Sequence, residues 1–94
     1  MWYVYMLECS DGSLYTGATT DVRARFRAHL IGKGGAYTRS HPPKRIVHTE
    51  SFRTRGQALR REAAIKGLST REKRMLARVR ALYGAGSRIK KRTP

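Results

Sequence analysis

The sequence predicts a small α/β domain, a three-stranded mixed sheet flanked by helices in the order ββαβαα. Three observations carry that prediction. The chain opens on Trp2 to Leu7, a run that is aromatic, β-branched and almost wholly apolar. A Ser10-Asp11-Gly12 cluster turns it into a second short run, Leu14 to Gly17. Two capping boxes, Thr54-x-x-Gln57 and Ser69-x-x-Glu72, open helical stretches in the second half of the chain.

The opening run reads as a strand covered on both faces, because it does not alternate with polar residues. The turn length fixes which side chains share a face. A two-residue Asp11-Gly12 loop would pair Tyr15 with Glu8 and set Tyr15 and Tyr5 on opposite faces. A three-residue loop with Gly12 in the left-handed conformation pairs Tyr15 with Leu7 and Gly17 with Tyr5. The second register is the expected one; it places both tyrosines together and leaves space at Gly17 for the Tyr5 ring.

The next helix starts with Thr20 or Asp21 as N-cap. Val22, Phe26 and Leu30 form its apolar stripe, with Arg25 and His29 beside it, four residues apart and facing the same way. Gly32 to Pro43 is rich in glycine, then basic, then Pro-Pro, and reads as a loop. Arg45 to Phe52 resumes a strand pattern. The helix opened by Thr54 closes near Gly67, and the one opened by Ser69 ends near Gly84, burying Met75, Leu76, Val79, Leu82 and Tyr83. One domain is expected over residues 1–83, followed by a mobile basic tail over 84–94 with four basic residues and no apolar pattern.

Twenty-one Lys+Arg against six Asp+Glu give a net charge of +15 over 94 residues. Such a field attracts a polyanion, and nucleic acid is the expected partner. The single cysteine, Cys9, excludes an internal disulfide and a cysteine-cluster zinc site. The N-terminus has no basic n-region and no apolar run approaches a membrane span, so no membrane association is expected. The expected location is the cytoplasm, with the nucleoid as a place of action there.

Cleaving a phosphodiester needs an activated water, charge stabilisation at the phosphoryl oxygens and usually a metal. With so few acids, each can be assigned in turn. Glu8 and Asp11 sit at a strand end and turn, Asp21 at a cap, Glu50 beside basic residues and Glu72 in a capping box. Glu62 remains. With Leu59 at zero on a helical wheel, Ala63 falls at about +40°, Ala58 at about −100°, Ile65 at about −120° and Glu62 at about −60°. The carboxylate thus falls inside the apolar arc, where an ionised group is costly unless paired or metal-bound. An i, i+4 pair with Lys66 is the structural alternative, worth only a few tenths of a kcal/mol. Tyr5 and Tyr15 taken singly read as strand and core residues, Arg25 as one arginine among many, and His29 as packing or capping. A tyrosine with a pKa of about 10 is a poor base unless cations help it. His41 and His48 show no metal-ligand spacing.

Taken together, Tyr5, Tyr15-Thr16-Gly17, Arg25, His29 and Glu62 resemble the pattern of the GIY-YIG nuclease superfamily over residues 2 to 80. Tyr3 and Val4 stand where the first name motif has glycine and isoleucine, and Thr16 replaces the isoleucine of the second. The family's frequent C-terminal asparagine has no counterpart, since the chain contains no asparagine. The chain is most similar to the small stand-alone bacterial members, with which it shares Lys33-Gly34 before Tyr37-Thr38-Arg39 and the Ala58-Leu59-Arg60-Arg61-Glu62 helix. It is also similar to the N-terminal nuclease domain of the bacterial excision-repair incision subunit. The resemblance implies that Glu62 holds one Mg²⁺ or Mn²⁺ largely through waters. It implies that Tyr5 takes a proton from the attacking water, Tyr15 positions water or phosphate, and Arg25 stabilises phosphoryl charge. His29 would assist proton transfer or hold Tyr5 reactive. Lys33, Arg39, Lys44 and Arg45 are candidates for phosphate contacts that position the strand without reading its sequence. The expected function is a metal-dependent DNA endonuclease of repair or DNA processing, with sequence specificity supplied by a partner protein where it is needed. The alternative is a nucleic-acid-binding module of little or no activity on the same fold.

Overall fold

The computed structural model describes residues 1–83, with side chains as far as Arg78. The tail over 84–94 and the expected inward positions of Val79, Leu82 and Tyr83 lie outside the described residues. Strand β1 (Trp2–Cys9) forms the centre of a three-stranded sheet of order β2-β1-β3, with β2 (Leu14–Thr19) on one edge and β3 (Pro43–Phe52) on the other.

The hairpin turn follows from three residues. Gly12 adopts φ +87° and donates its N–H to the Cys9 carbonyl at 2.9 Å, while Cys9 N–H reaches the Ser13 carbonyl at 2.8 Å. The Asp11 carboxylate accepts from the Ser13 N–H at 3.0 Å and from its hydroxyl at 2.7 Å. This is the three-residue loop with glycine in the left-handed position. It sets Leu7 opposite Tyr15 and Tyr5 opposite Gly17.

Both strand pairs are antiparallel, so the sheet is not mixed. The helical connection after β2 does return the chain in the β2 direction, as a crossover should. It delivers β3 to the far side of β1, however, and β1 lies between the two parallel-running strands and opposes each. Two register shifts in the β1–β3 pair bulge Val47 and Lys44 out of the ladder.

Alternation along β1 divides the molecule. Val4 and Met6 are fully buried with Ala58 and Ile65 of α3 (Arg55–Lys66), and Trp2, Leu14, Ala18, Val47, Phe52 and Leu76 pack around them. Leu76 comes from α4 (Thr70–Tyr83). The opposite face carries Tyr5 and meets α1 (Val22–Leu30) and α2 (Ala36–Ser40) through His29 and Thr38. Asp21 caps α1 by accepting from Ala24 N–H at 3.0 Å, and both expected capping boxes form.

Several expectations need correction. The stretch read as a loop contains α2, a five-residue helix too short to show a period; β3 begins at Pro43 rather than Arg45. Leu30 is 53 % exposed, and the buried residue of α1 is its neighbour His29. A buried phenol without a partner costs about 1–3 kcal/mol, more than a half-exposed leucine forgoes, so the imidazole takes the inner position. On α3, Leu59 and Ala63 are exposed and the sheet receives Ala58 and Ile65. The rotation follows from Arg61, whose guanidinium makes two bonds to the Glu50 carboxylate on β3 at 2.8 and 3.0 Å. Met75 is exposed rather than buried, turned outward beside Arg74, whose guanidinium donates to the Gly12 carbonyl at 3.0 Å.

Candidate active site

Tyr5 and Tyr15 stand side by side on the α1 face, ring centroids 6.3 Å apart. Gly17 makes this possible, since a Cβ there would overlap the Tyr5 hydroxyl and ring carbons. The Tyr5 hydroxyl lies 2.9 Å from His29 Nε2, and His29 Nδ1 lies 2.6 Å from Thr38 Oγ1. Tyr5, His29 and Thr38 are each buried to 2 % exposure or less. They form one hydrogen-bonded line from strand through helix to helix. Tyr15 closes over it, its ring edge-on to His29 at 5.1 Å. Beyond it Tyr37 stacks on Tyr15 at 5.8 Å, and His41 stacks on Tyr37 at 4.1 Å.

Burial pushes the Tyr5 hydroxyl well above the ordinary tyrosine range; neighbouring Tyr15 and the Glu62 carboxylate push the same way, and the Arg25 guanidinium pulls it down. Burial, then Arg25, holds His29 below the usual imidazole range. At neutral pH the pair is therefore a phenol against a neutral imidazole. Both ring nitrogens are bonded, so the hydrogen on Nδ1 can be given to Thr38, and Nε2 then accepts from Tyr5.

The remaining predicted residues sort themselves by distance from this line. Arg25 is exposed on α1 and reaches Tyr5 and His29 through its charge. Glu62 lies on the flank of the buried face of α3, its side chain 18 % exposed, with Lys66 at 3.2 Å. The other five acids are engaged elsewhere: Glu8 with Arg45, Asp11 in the turn, Asp21 and Glu72 at caps, Glu50 with Arg61 and His48. Lys33 and Arg39 are exposed, next in sequence to Gly34 and Thr38, which meet the His29 ring. Lys44 bulges from the other edge, and Arg45 is tied to Glu8 at 2.7 Å, away from the tyrosines.

Sequence reasoning assigned no role to Thr38 or Gly34. Thr38 holds the far nitrogen of His29, and Gly34 leaves room for its ring, since a Cβ there would overlap it. The signal for both was the Lys33-Gly34 and Tyr37-Thr38-Arg39 pattern itself, which had no chemical reading without the fold.

A lone Glu62 carboxylate, whose charge is felt at Tyr5, suits a hard divalent cation that keeps most of its waters. Its charge already bears on Tyr5, and among the described residues only Lys66 balances it.

A hairpin bearing two tyrosines, a helix bearing arginine and histidine, and a later helical glutamate define a nuclease domain. The GIY-YIG catalytic domain matches residues 1–75, and the chain belongs to this family. Similar proteins include a UPF0213 protein of Cupriavidus necator, 52% identical over 73 residues, covering 78% of this chain and 79% of that one. A UPF0213 protein of Haloquadratum walsbyi is 53% identical over 75 residues, covering 80% and 84%. The solution NMR structure of a UPF0213 protein from Bacillus halodurans superposes with a TM-score of 0.54 at 49% identity, covering 84% of this chain and 85% of that one.

Proposed function

We propose that this protein is a divalent-metal-dependent DNA endonuclease that hydrolyses phosphodiester bonds in DNA repair or processing. The observation that carries the reading is the buried Tyr5–His29–Thr38 line opening on Tyr15. Tyr5 accepts a proton from the attacking water while passing its own to His29 Nε2, and Thr38 keeps the ring in the orientation that accepts it. The hydroxide attacks phosphorus, the bond to the leaving oxygen breaks, and that oxygen departs as an alkoxide protonated by solvent while His29 returns its proton to solvent. Tyr15 orients water or a phosphoryl oxygen at the mouth, and Arg25 offsets the charge that develops there. Glu62 would hold Mg²⁺ or Mn²⁺, which when bound supplies Lewis-acid stabilisation of the phosphoryl oxygens. Lys33 and Arg39 flank this opening and hold the strand by its phosphates, so binding weakens steeply with salt.

Nicking of supercoiled plasmid in Mg²⁺, abolished by chelator and slowed by orders of magnitude in Tyr5→Phe, is the expected result. Absence of nicking on plasmid, branched and single-stranded DNA, with binding intact, would reject it. The Glu62–Lys66 pair at 3.2 Å favours one second reading, a DNA-binding module whose glutamate is occupied as a structural ion pair.

A further inference from the structure

The C-terminal end of α1 holds two large aliphatic side chains out in water. Leu30 is 53 % exposed and its neighbour Ile31 is 70 % exposed. Neither belongs to the core cluster, and the Tyr5–His29–Thr38 line makes no use of them.

Their position is fixed by the way the helix stops. Gly32 takes φ +79° and donates its N–H to the His29 carbonyl at 3.1 Å, while Lys33 N–H reaches back to the Ala28 carbonyl at 2.8 Å. This pair of bonds is a Schellman cap, which frequently carries an apolar contact between the residue after the glycine and the last helical turn. Here the residue after the glycine is Lys33. The cap therefore ties down the backbone and leaves Leu30 and Ile31 as an uncovered knuckle.

Cations surround that knuckle. At 100° per residue, Arg23 and Arg27 lie about 20° and 60° from Leu30 around the helix axis. Both are exposed, as is Lys33, and none of the three makes an ion pair among the described residues. Residues 22–49 contain seven Lys+Arg and no Asp or Glu. A two-fold contact between copies of this chain would bring these like charges together, whereas the phosphates of a duplex neutralise them.

We infer that Leu30 and Ile31 form a wedge that enters the base stack of duplex DNA and kinks it, with Arg23, Arg27 and Lys33 on the phosphates to either side. The inference rests on the nuclease reading, which supplies DNA as the ligand, and deepens it by naming the class of substrate. Leucine and isoleucine are among the apolar side chains that insert between base steps, and such insertions bend the duplex by roughly 20–90°. Pyrimidine–purine steps unstack most readily, and a mismatch is already loosened. Leu30 directly follows His29 in the chain, so the wedge stands at the border of the candidate active site. The favoured substrate is a duplex with an easily unstacked step next to the cleavage point.

The test uses the full chain in chelator, so that no cleavage occurs, and a duplex carrying 2-aminopurine at a central TA step. Anisotropy of an end label reports binding, and 2-aminopurine fluorescence reports unstacking. At saturation the parent should raise the fluorescence, and it should bind a mismatched duplex about tenfold more tightly than a paired one. Leu30→Ala/Ile31→Ala, a change of two exposed side chains, should still bind with the parental salt slope but lose the fluorescence rise and the mismatch preference. Arg27→Ala should make the salt slope shallower by about one phosphate and keep the rise at saturation. Saturable binding without a rise, or a rise that survives in the double variant, would overturn the wedge. So would a parent that sediments as a dimer while the double variant is a monomer, or binding to anionic phosphatidylserine vesicles that only the double variant loses. A protein that unstacks DNA and fails to nick in Mg²⁺ keeps the wedge and loses the nuclease reading; one that nicks without unstacking does the reverse.

Discussion

Gly34 lies so close under the His29 imidazole that any β-carbon at that position would overlap the ring at Nδ1 and its neighbours. The glycine thereby bears on where Nε2 points. Gly34→Ala is expected to shift the ring, lengthen the Tyr5–His29 bond and lower turnover, with a stability loss of about 1–3 kcal/mol from overpacking. Gly17→Ala should act in the same way through Tyr5. Nicking rates and urea denaturation of both variants, set against Gly56→Ala on the exposed start of α3, check this; parental nicking by Gly34→Ala would contradict it.

Tyr5→Phe removes the hydroxyl and leaves His29 Nε2 without its partner. Turnover should fall by roughly 10²–10⁴, and stability by about 1–3 kcal/mol for a buried group left unpaired. Thr38→Val unpairs the other nitrogen and should show a smaller loss of rate. Single-turnover assays at saturating enzyme separate these effects from binding.

Glu62→Gln should abolish cleavage while DNA affinity persists or rises slightly, because a negative charge leaves a very basic surface. The Lys66 pair is worth only a few tenths of a kcal/mol, so the melting temperature should barely move. Unchanged cleavage in Mg²⁺ would refute the metal assignment. A collapse in melting temperature would make Glu62 a structural residue.

Arg25 is exposed and its charge bears on both Tyr5 and His29. Arg25→Ala should cost about 10²–10³ in turnover with little loss of affinity, one charge among twenty-one basic residues being minor for binding. A drop confined to affinity, seen by titrating DNA at fixed salt, would place Arg25 among the phosphate contacts instead.

Stability should depend on pH in steps. His29 titrates below its ordinary 6.5 in the folded protein because burial disfavours its charged form. As pH falls from 6.5 toward that lowered value, the unfolded chain takes up a proton that the folded chain refuses, and stability drops. Glu50 is held below its ordinary 4.5, first by the Arg61 bonds. It contributes fully above 4.5 and loses its contribution as pH falls further. Tyr5 works from the other end: its folded value is raised, so stability declines once pH passes 10 and the unfolded chain gives up its proton. Urea titrations across acid pH should show the first step removed by His29→Gln and the second by Arg61→Gln.

The hairpin register was legible because Ser10-Asp11-Gly12 allows few loop geometries and only one puts Tyr5 and Tyr15 on the same face. Capping boxes at Thr54 and Ser69 were equally legible, being local contacts written within four residues. Which way a helix turns its faces was not. The wheel for α3 spread the apolar arc from Ala63 through Leu59 to Ile65, but the position was decided by Arg61 reaching Glu50, eleven residues away on a strand. Likewise Leu30 yielded the inner position on α1 to His29 because a phenol twenty-four residues earlier needed a partner. Thr38 became visible only once α2 had folded back beneath α1. Contacts between distant residues determined each of these outcomes, and hydrophobic pattern carries no record of them.

The central place of β1 has a consequence for how the molecule opens. Its backbone is bonded along both edges, to β2 and to β3, so its amides should be the last to exchange with solvent. Tyr5 is therefore mounted on the slowest-opening part of the chain, while Thr38 rides on a helix of five residues that can fray by itself. Brief local unfolding of α2 would release His29 from Thr38 and leave the phenol in place. On the proposed reading, such openings would interrupt the path from Tyr5 to His29 while the tyrosine itself stays fixed.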